Sequence, residues 1–369
     1  MKQNSSTKTR RIVYVIFGIL LGVFLTYGII YKFPKVFQET VTKIERDITV
    51  TDEGIADAVE KVYDSVVVIT NYRNDKKYAL GSGFIYKTEG DISYIMTNYH
   101  VIKEGDKFEI TYVDGTVVDA EILGGDQYSD ISILKVPKKD GINPVHIGKT
   151  ESLRVGDTTF TVGAPLDNTY SWSVTRGIIS GKERYVEVSL SSAYGDDYIM
   201  NVLQTDAAVN SGNSGGPLSN SNGEVIGVIS AKIKNTGVEG MGFAIPIEIA
   251  QEKAEQIIKG ENSEYPYLGA SMVSVEDVSA VPNLYSYVND SITSGVIIYS
   301  VEKGSGAESA KLKKGDIITK INDKEVSNMA YLRYELYKNK VGDEVKVTYI
   351  RDGNEASVNV KLTSKIGNN

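Results

Sequence analysis

No cysteine occurs among the 369 residues, and only two histidines do, His100 and His146. The first absence excludes disulfides, thiolate nucleophiles and cysteine-ligated zinc. The second leaves too few imidazoles for a histidine-rich metal site, so neither metal nor cofactor is expected. Positive charge is also short, with 40 Lys and Arg against 48 Asp and Glu. A chain of net charge −8 offers no broad basic surface to neutralise phosphates, which excludes a general nucleic-acid binder. What remains is ordinary globular composition, 41% hydrophobic and 24% charged, in a chain long enough for two soluble domains and extras.

The clearest regional signal is Ile12 to Tyr31, an uncharged run of about 20 residues, enough to cross a bilayer as a helix. Lys2, Lys8, Arg10 and Arg11 precede it, so residues 1–11 are expected to stay cytoplasmic and everything after Tyr31 to lie outside. A cleavable signal peptide is the rival. Its apolar region would be shorter and end in a small-x-small site, whereas Tyr27-Gly28-Ile29-Ile30-Tyr31 is bulky. Residues 12–31 are therefore expected to form an uncleaved single-pass anchor, followed by a polar linker over 32–52.

From residue 53 to about 246 the pattern is short β-branched runs punctuated by Gly, Asn and Asp. Val66 to Thr70, Gly83 to Tyr86 and Ser93 to Thr97 are examples. Phe108 to Val113 and Thr116 to Leu123 flank Asp114-Gly115, a two-residue hairpin signal. Many short strands at this spacing predict an antiparallel sandwich or barrel. A helix is expected from Ile247 to Ile258, stopped by Gly260. After Glu261-Asn262-Ser263-Glu264 the composition resets. A smaller α+β domain is expected there, with strands at 295–300, 316–321, 344–351 and 356–362 and a helix from Met329 to Lys338.

Chemistry is concentrated at Gly212-Asn213-Ser214-Gly215-Gly216-Pro217. A serine flanked by glycines, among turn formers, presents a hydroxyl where backbone can approach a substrate carbonyl. The N–H groups of Gly212 and Ser214 are the candidates for an oxyanion hole. A bare serine is a poor nucleophile and needs a base and an orienting carboxylate. His100 follows a strand-like run directly; His146 lies among apolar neighbours and is read as a solvated or core side chain. Asp130 ends a polar loop just before an apolar strand, which suits a partly desolvated carboxylate against His100. Asp126 is the fallback, with a loop-capping bond as its expected role, and Asp206 is expected to fix the loop leading to Ser214.

The segments around His100, Asp130 and Ser214 resemble the HtrA/DegP family of trypsin-like serine proteases. Gly81-Ser82-Gly83-Phe84, Leu153-Arg154-Val155-Gly156-Asp157, Thr205-Asp206-Ala207-Ala208 and Gly242-Phe243-Ala244-Ile245-Pro246 match as well. The resemblance implies a mainly β chain: a chymotrypsin-like double β-barrel over residues 53–260, with a His100, Asp130, Ser214 triad in the cleft. The order His, Asp, Ser agrees with that template. Ser211 departs from the proline or arginine common there. Tyr185 to Met200 reads as an enlarged polar regulatory loop. Asn213 stands where trypsin has a carboxylate that pairs with a newly cleaved N-terminus, so that activation route is closed.

Residues 265–365 resemble a PDZ domain. Tyr267-Leu268-Gly269-Ala270 is similar to its carboxylate-binding loop, and Leu312-Lys313-Lys314-Gly315-Asp316-Ile317-Ile318 follows in the expected place. The strand after that loop and the helix from Met329 would then wall a groove for peptide C-termini. Ser274 to Thr293 is longer than expected for such a domain. The resemblance further implies unfolded or damaged extracytoplasmic proteins as substrates, and a homotrimer. Two other readings stay open: a non-proteolytic chaperone or peptide-binding protein, and a regulatory protease dedicated to one signalling substrate.

Overall fold

A computed structural model describes residues 5–32, 52–164, 171–189, 198–231, 240–261, 263–281, 283–288 and 292–366. The chain divides into two units, Met1–Thr51 and Asp52–Asn369. In the first, helix α1 spans Ser5–Lys32. Its side chains from Val13 to Tyr27 are exposed throughout, Phe24 at 76%. Side chains of α1 are described only at 13–27, 31 and 32, and among the described residues no helix is long and apolar enough to cross a membrane. The linker expected over 32–52 lies, apart from its two ends, outside the described residues.

The second unit opens with helix α2 (Asp52–Tyr63), which the polar start of this stretch conceals. Ala58 and Val62, four residues apart, bury one face of it. Strands β1 (Val66–Arg73), β2 (Lys76–Glu89), β3 (Ile92–Thr97), β4 (Lys107–Thr111), β5 (Val117–Asp126) and β6 (Ile131–Pro137) come next. They close into an antiparallel barrel in the order β1-β2-β3-β6-β5-β4. The β4–β5 turn has three residues, not the two expected. Gly115 N–H donates to the Tyr112 carbonyl, Tyr112 N–H to that of Thr116, and Gly115 alone has positive φ, at 82°. One left-handed residue suits a type I turn with a bulge; a two-residue type I′ turn needs two.

Strands β7 (His146–Ile147), β8 (Thr158–Gly163), β9 (Ser173–Val188), β10 (Tyr198–Thr205), β11 (Pro217–Asn220), β12 (Glu224–Ile229) and β13 (Gly242–Pro246) build the second sheet. β11 pairs with both β8 and β12, so six strands return on themselves, and β7 adds to β12 in parallel. Much of the loop expected over 185–200 is strand: Tyr185 pairs with Asn201 and Val188 with Tyr198. The alternation Tyr185-Val186-Glu187-Val188 explains this, with Val188 buried and Tyr185 exposed. Residues 190–197 lie outside the described residues.

The largest apolar core lies where the two barrels meet. Phe84, Met96 and Ile133 come from the first, and Phe160, Val202 and Ile245 from the second. Helix α3 (Ile247–Ile258) adds Ile247, Ala250, Ala254 and Ile257 to the same core. Gly260, at φ 70°, ends it as expected.

Beyond it, Glu264–Tyr267 pairs with Thr363–Ile366, and a sheet runs in the order Ala270–Ser274, Val296–Val301, Ile317–Ile321, Glu344–Arg351, Asn354–Lys361. Asp352 and Gly353 both have positive φ, forming the type I′ turn that an Asp-Gly pair between two strands favours. Helix α4 (Met329–Leu336) is capped by Asn328, whose side-chain oxygen accepts from Tyr331 N–H. The insertion from 274 to 293 holds two 3₁₀ turns, Val275–Ala280 and Tyr285–Tyr287. Val275, Val278 and Leu284 bury against Ile297 and Ile317, giving the insertion its own small core.

Asp316, 1% exposed, receives two 2.6 Å bonds from the Arg351 guanidinium and one from Lys313 N–H. Replacing one partner of a buried pair strands the others. Asp316→Ala is expected to cost about 1–3 kcal/mol of unfolding free energy, measured by urea denaturation followed by circular dichroism. An unchanged midpoint would show that the pair does not hold this sheet.

Candidate active site

The turn joining β5 to β6 is built by Asp126. One of its oxygens accepts from Tyr128 N–H (2.9 Å), Ser129 N–H (2.8 Å) and the Ser129 hydroxyl (3.1 Å). This is the loop-capping role expected of Asp126. The capped turn delivers Asp130 in a left-handed conformation, φ 56°, buried to 3% exposure. Such a backbone is costly for a residue other than glycine and persists only where its surroundings fix it. Here they do: the Asp130 carbonyl accepts from Tyr99 N–H and from the Asn98 side-chain amide.

His100 sits in a four-residue helical turn, Tyr99–Ile102, immediately after β3. Its Nδ1 lies 2.8 and 3.0 Å from the two carboxylate oxygens of Asp130, and its own N–H donates to one of them at 3.0 Å. With Nδ1 facing the carboxylate as donor, Nε2 is left as the basic nitrogen. The Ser230 hydroxyl, at the end of β12 in the second barrel, donates to Asp130 Oδ2 at 3.0 Å. The carboxylate is thus held from both barrels.

Ser214 lies in the loop before β11, and that loop is tied to the first barrel by Ser82 in β2. Ser82 N–H donates to the Ser214 carbonyl at 2.8 Å, and the Ser82 hydroxyl donates to the Gly212 carbonyl at 2.7 Å. The same hydroxyl accepts from Ala164 N–H. Gly215, at φ 83°, is essential to this approach: a Cβ there would collide with the Ser82 carbonyl and the Thr97 hydroxyl. The N–H groups of Gly212 and Ser214 donate to no partner among the described residues, leaving both available to a developing oxyanion.

Asp130 and His100 therefore form the pair expected from sequence, and Ser214 occupies the glycine-flanked turn. The link between nucleophile and base is not made in this state. Ser214 Oγ accepts from Ala231 N–H at 3.1 Å, and no hydrogen bond joins it to His100 among the described residues. Catalytic contacts are commonly loose without substrate. Ser230 carries no mark of a site residue in the sequence, and Ser82 lies in the family-like segment Gly81-Ser82-Gly83-Phe84 without a role that the sequence assigns to it. Asp206, the first residue of the loop that leads to Ser214, accepts from Ile178 N–H of β9 at 2.6 Å and so ties the start of that loop to the sheet, as expected. Asn213 is buried, its amide donating to the Ala208 carbonyl at 3.3 Å. His146 is exposed on β7.

In the second domain, a groove of about 210 Å³ runs between the strand Ala270–Ser274 and α4. Tyr267, Ala270, Ser271 and Met272 line one wall, and Met329, Leu332, Arg333, Leu336 and Tyr337 the other. At its end Gly269 adopts φ 85°, and the N–H groups of Leu268 and Gly269 donate to no described residue. Leu268 itself is fully buried in the core, so it can act on a ligand only through its backbone. Among the described residues no group of acidic or imidazole side chains could hold a metal ion.

Comparison with known proteins agrees with both halves. Residues 81–228 match the trypsin-like peptidase domain, and residues 266–362 match the PDZ domain. The chain is 35% identical over 332 residues to the serine protease Do-like HtrB of Bacillus subtilis, covering 85% of this chain and 71% of that one. It is 34% identical over 352 residues to the serine protease Do-like HtrA of Lactococcus lactis subsp. cremoris, covering 88% and 86%. Among solved structures, the serine endoprotease of Yersinia pestis superposes with a TM-score of 0.60 at 26% identity, covering 86% of this chain and all of that one. The HtrA-type protease AlgW with a bound decapeptide gives 0.60 at 25% identity, covering 84% and 98%. The chain belongs to the HtrA family of serine endopeptidases, with a trypsin-like protease domain followed by a PDZ domain.

Proposed function

We propose that this chain hydrolyses peptide bonds of unfolded or damaged proteins outside the cytoplasm, with His100, Asp130 and Ser214 as its triad. The observation that carries the reading is the doubly held Asp130–His100 pair, beside a serine whose loop is pinned across the barrels by Ser82. Ser214 turns from Ala231 N–H toward His100, gives its proton to Nε2 and attacks the substrate carbonyl. The oxyanion forms against the N–H groups of Gly212 and Ser214. His100 returns the proton to the leaving amine as the C–N bond breaks, and Asp130 stabilises the imidazolium in between. Water, deprotonated by His100, then releases the acyl group from Ser214.

In this reading residues 53–260 are the protease module and residues 265–365 a peptide-binding module, whose groove receives C-termini at Tyr267-Leu268-Gly269-Ala270. The peptide-bound AlgW structures support that assignment by relationship. Residues 12–31 anchor the chain as a single-pass helix, with residues 1–11 in the cytoplasm. The basic flank and the uncharged run are the support for this. By family relationship the chain works as a homotrimer, without cofactor or metal.

Ser214→Ala is expected to lower casein hydrolysis by about 10⁴–10⁶-fold with an unchanged circular dichroism spectrum. A variant keeping more than a few per cent of turnover would remove Ser214 from the mechanism. A folded wild-type protein inert towards casein, yet binding it, would favour the chaperone reading instead. For topology, protease added to intact cells should digest the chain beyond residue 52 and spare a tag at Met1; the reverse pattern refutes the orientation. Light scattering of the detergent-solubilised chain should report a trimer, and a monomeric mass would refute that assembly.

A further inference from the structure

The groove between Ala270–Ser274 and α4 has one wall that its own domain does not supply. Tyr128, in the turn between β5 and β6 of the protease barrel, lines it together with Tyr267, Leu336 and Tyr337. Its ring centroid is 4.4 Å from that of Tyr265 and 5.4 Å from that of Tyr337. Tyr128 therefore lies at the end of the groove where α4 finishes and the Tyr267–Ala270 loop begins. That is the end carrying the open N–H groups of Leu268 and Gly269.

The ring is not a loose side chain that has fallen into a cavity. It is 5% exposed, and its N–H is held by Asp126. The other oxygen of Asp126 accepts the Tyr265 hydroxyl, from the strand that leads into the groove. Burial, then the charge of Asp126, push the Tyr265 hydroxyl well above its ordinary pKa, so it stays a donor. Backbone and ring of Tyr128 are thus fixed from opposite sides.

We infer that Tyr128 is a specificity-determining residue of the peptide groove, closing the pocket that takes the last side chain of a bound C-terminus. The inference rests on the groove reading given above. Rings of Tyr128, Tyr267 and Tyr337 bound this end of the groove, and the Tyr267 hydroxyl is engaged by the Ala270 carbonyl and Glu302. The Tyr128 ring therefore limits how large a terminal side chain the pocket accepts. A domain cut away from the barrel would lose this boundary.

The test uses the full chain in detergent, in the Ser214→Ala background so that probes are not cut. Fluorescein-labelled octapeptides ending in free Ala, Val, Leu or Phe, with a C-terminally amidated Val version, are titrated by anisotropy. The ratio of Val-ended to Phe-ended affinity in the parent protein is the reference. Tyr128→Ala should move that ratio about tenfold in favour of Phe by enlarging the pocket, and Tyr128→Phe should preserve it. Tyr128→Leu, which keeps apolar bulk in the turn, should move the ratio the same way and decides the matter if the alanine variant does not fold. An unchanged ratio in folded Tyr128→Ala or Tyr128→Leu overturns the inference while leaving the groove reading intact. Equal binding of free and amidated Val probes, or no binding by the parent protein, overturns the groove reading and the inference with it.

Discussion

Everything in the protease half converges on one buried carboxylate. Asp130 is the residue through which the two barrels share a charge: His100 meets it from the first, Ser230 from the second. An ionised carboxylate removed from water must be fully hydrogen-bonded to be tolerated. Its position fixes much around it. The left-handed backbone at Asp130 demands the Asn98 and Tyr99 bonds to its carbonyl, and those bonds set where the His100 turn starts. The imidazole then has little freedom, because its own backbone N–H is held by the same carboxylate that faces its ring.

The nucleophile is positioned by a separate device with its own logic. Ser82 uses backbone and side chain together on the Ser214 loop, an arrangement possible only because the glycines at 215 and 216 let two main chains touch. Base and nucleophile therefore hang on different supports, the first on Asp130 and the second on Ser82. No hydrogen bond joins the two groups among the described residues, although each support is intact.

Much of this is legible in the sequence because the relevant signals are local. The glycines around Ser214 announce close backbone approach, the strand-then-polar pattern locates His100, and the polar turn before an apolar strand locates Asp130. Asp352-Gly353 and Gly260 state their turn and stop directly. The misreadings have a common cause: partners distant in sequence. Helix α2 looks polar until the core that receives Ala58 and Val62 is known. Tyr185 to Val188 looks like a loop until β10 pairs with it. Ser82 in β2 and Ser230 just after β12 do work that depends on groups 130 and 100 residues away.

The junction between the halves illustrates the same dependence on distance. Tyr128 and Tyr198 belong to the barrels, Tyr265 and Tyr337 to the peptide-binding domain, and their rings form one cluster with centroids 4.4 to 6.0 Å apart. Aromatic pairs of this kind add to the stabilisation that burial alone provides. No single ring announces such a cluster, since tyrosine at any of these positions is compatible with an exposed loop. Its placement nevertheless has a consequence. The turn that presents Asp130 is capped by Asp126, and Asp126 is also the acceptor for Tyr265. A carboxylate with two oxygens thus serves two domains, one oxygen ordering the turn beside the site and the other gripping the neighbour. Asp126 in turn lies four residues before the carboxylate on which the protease half depends.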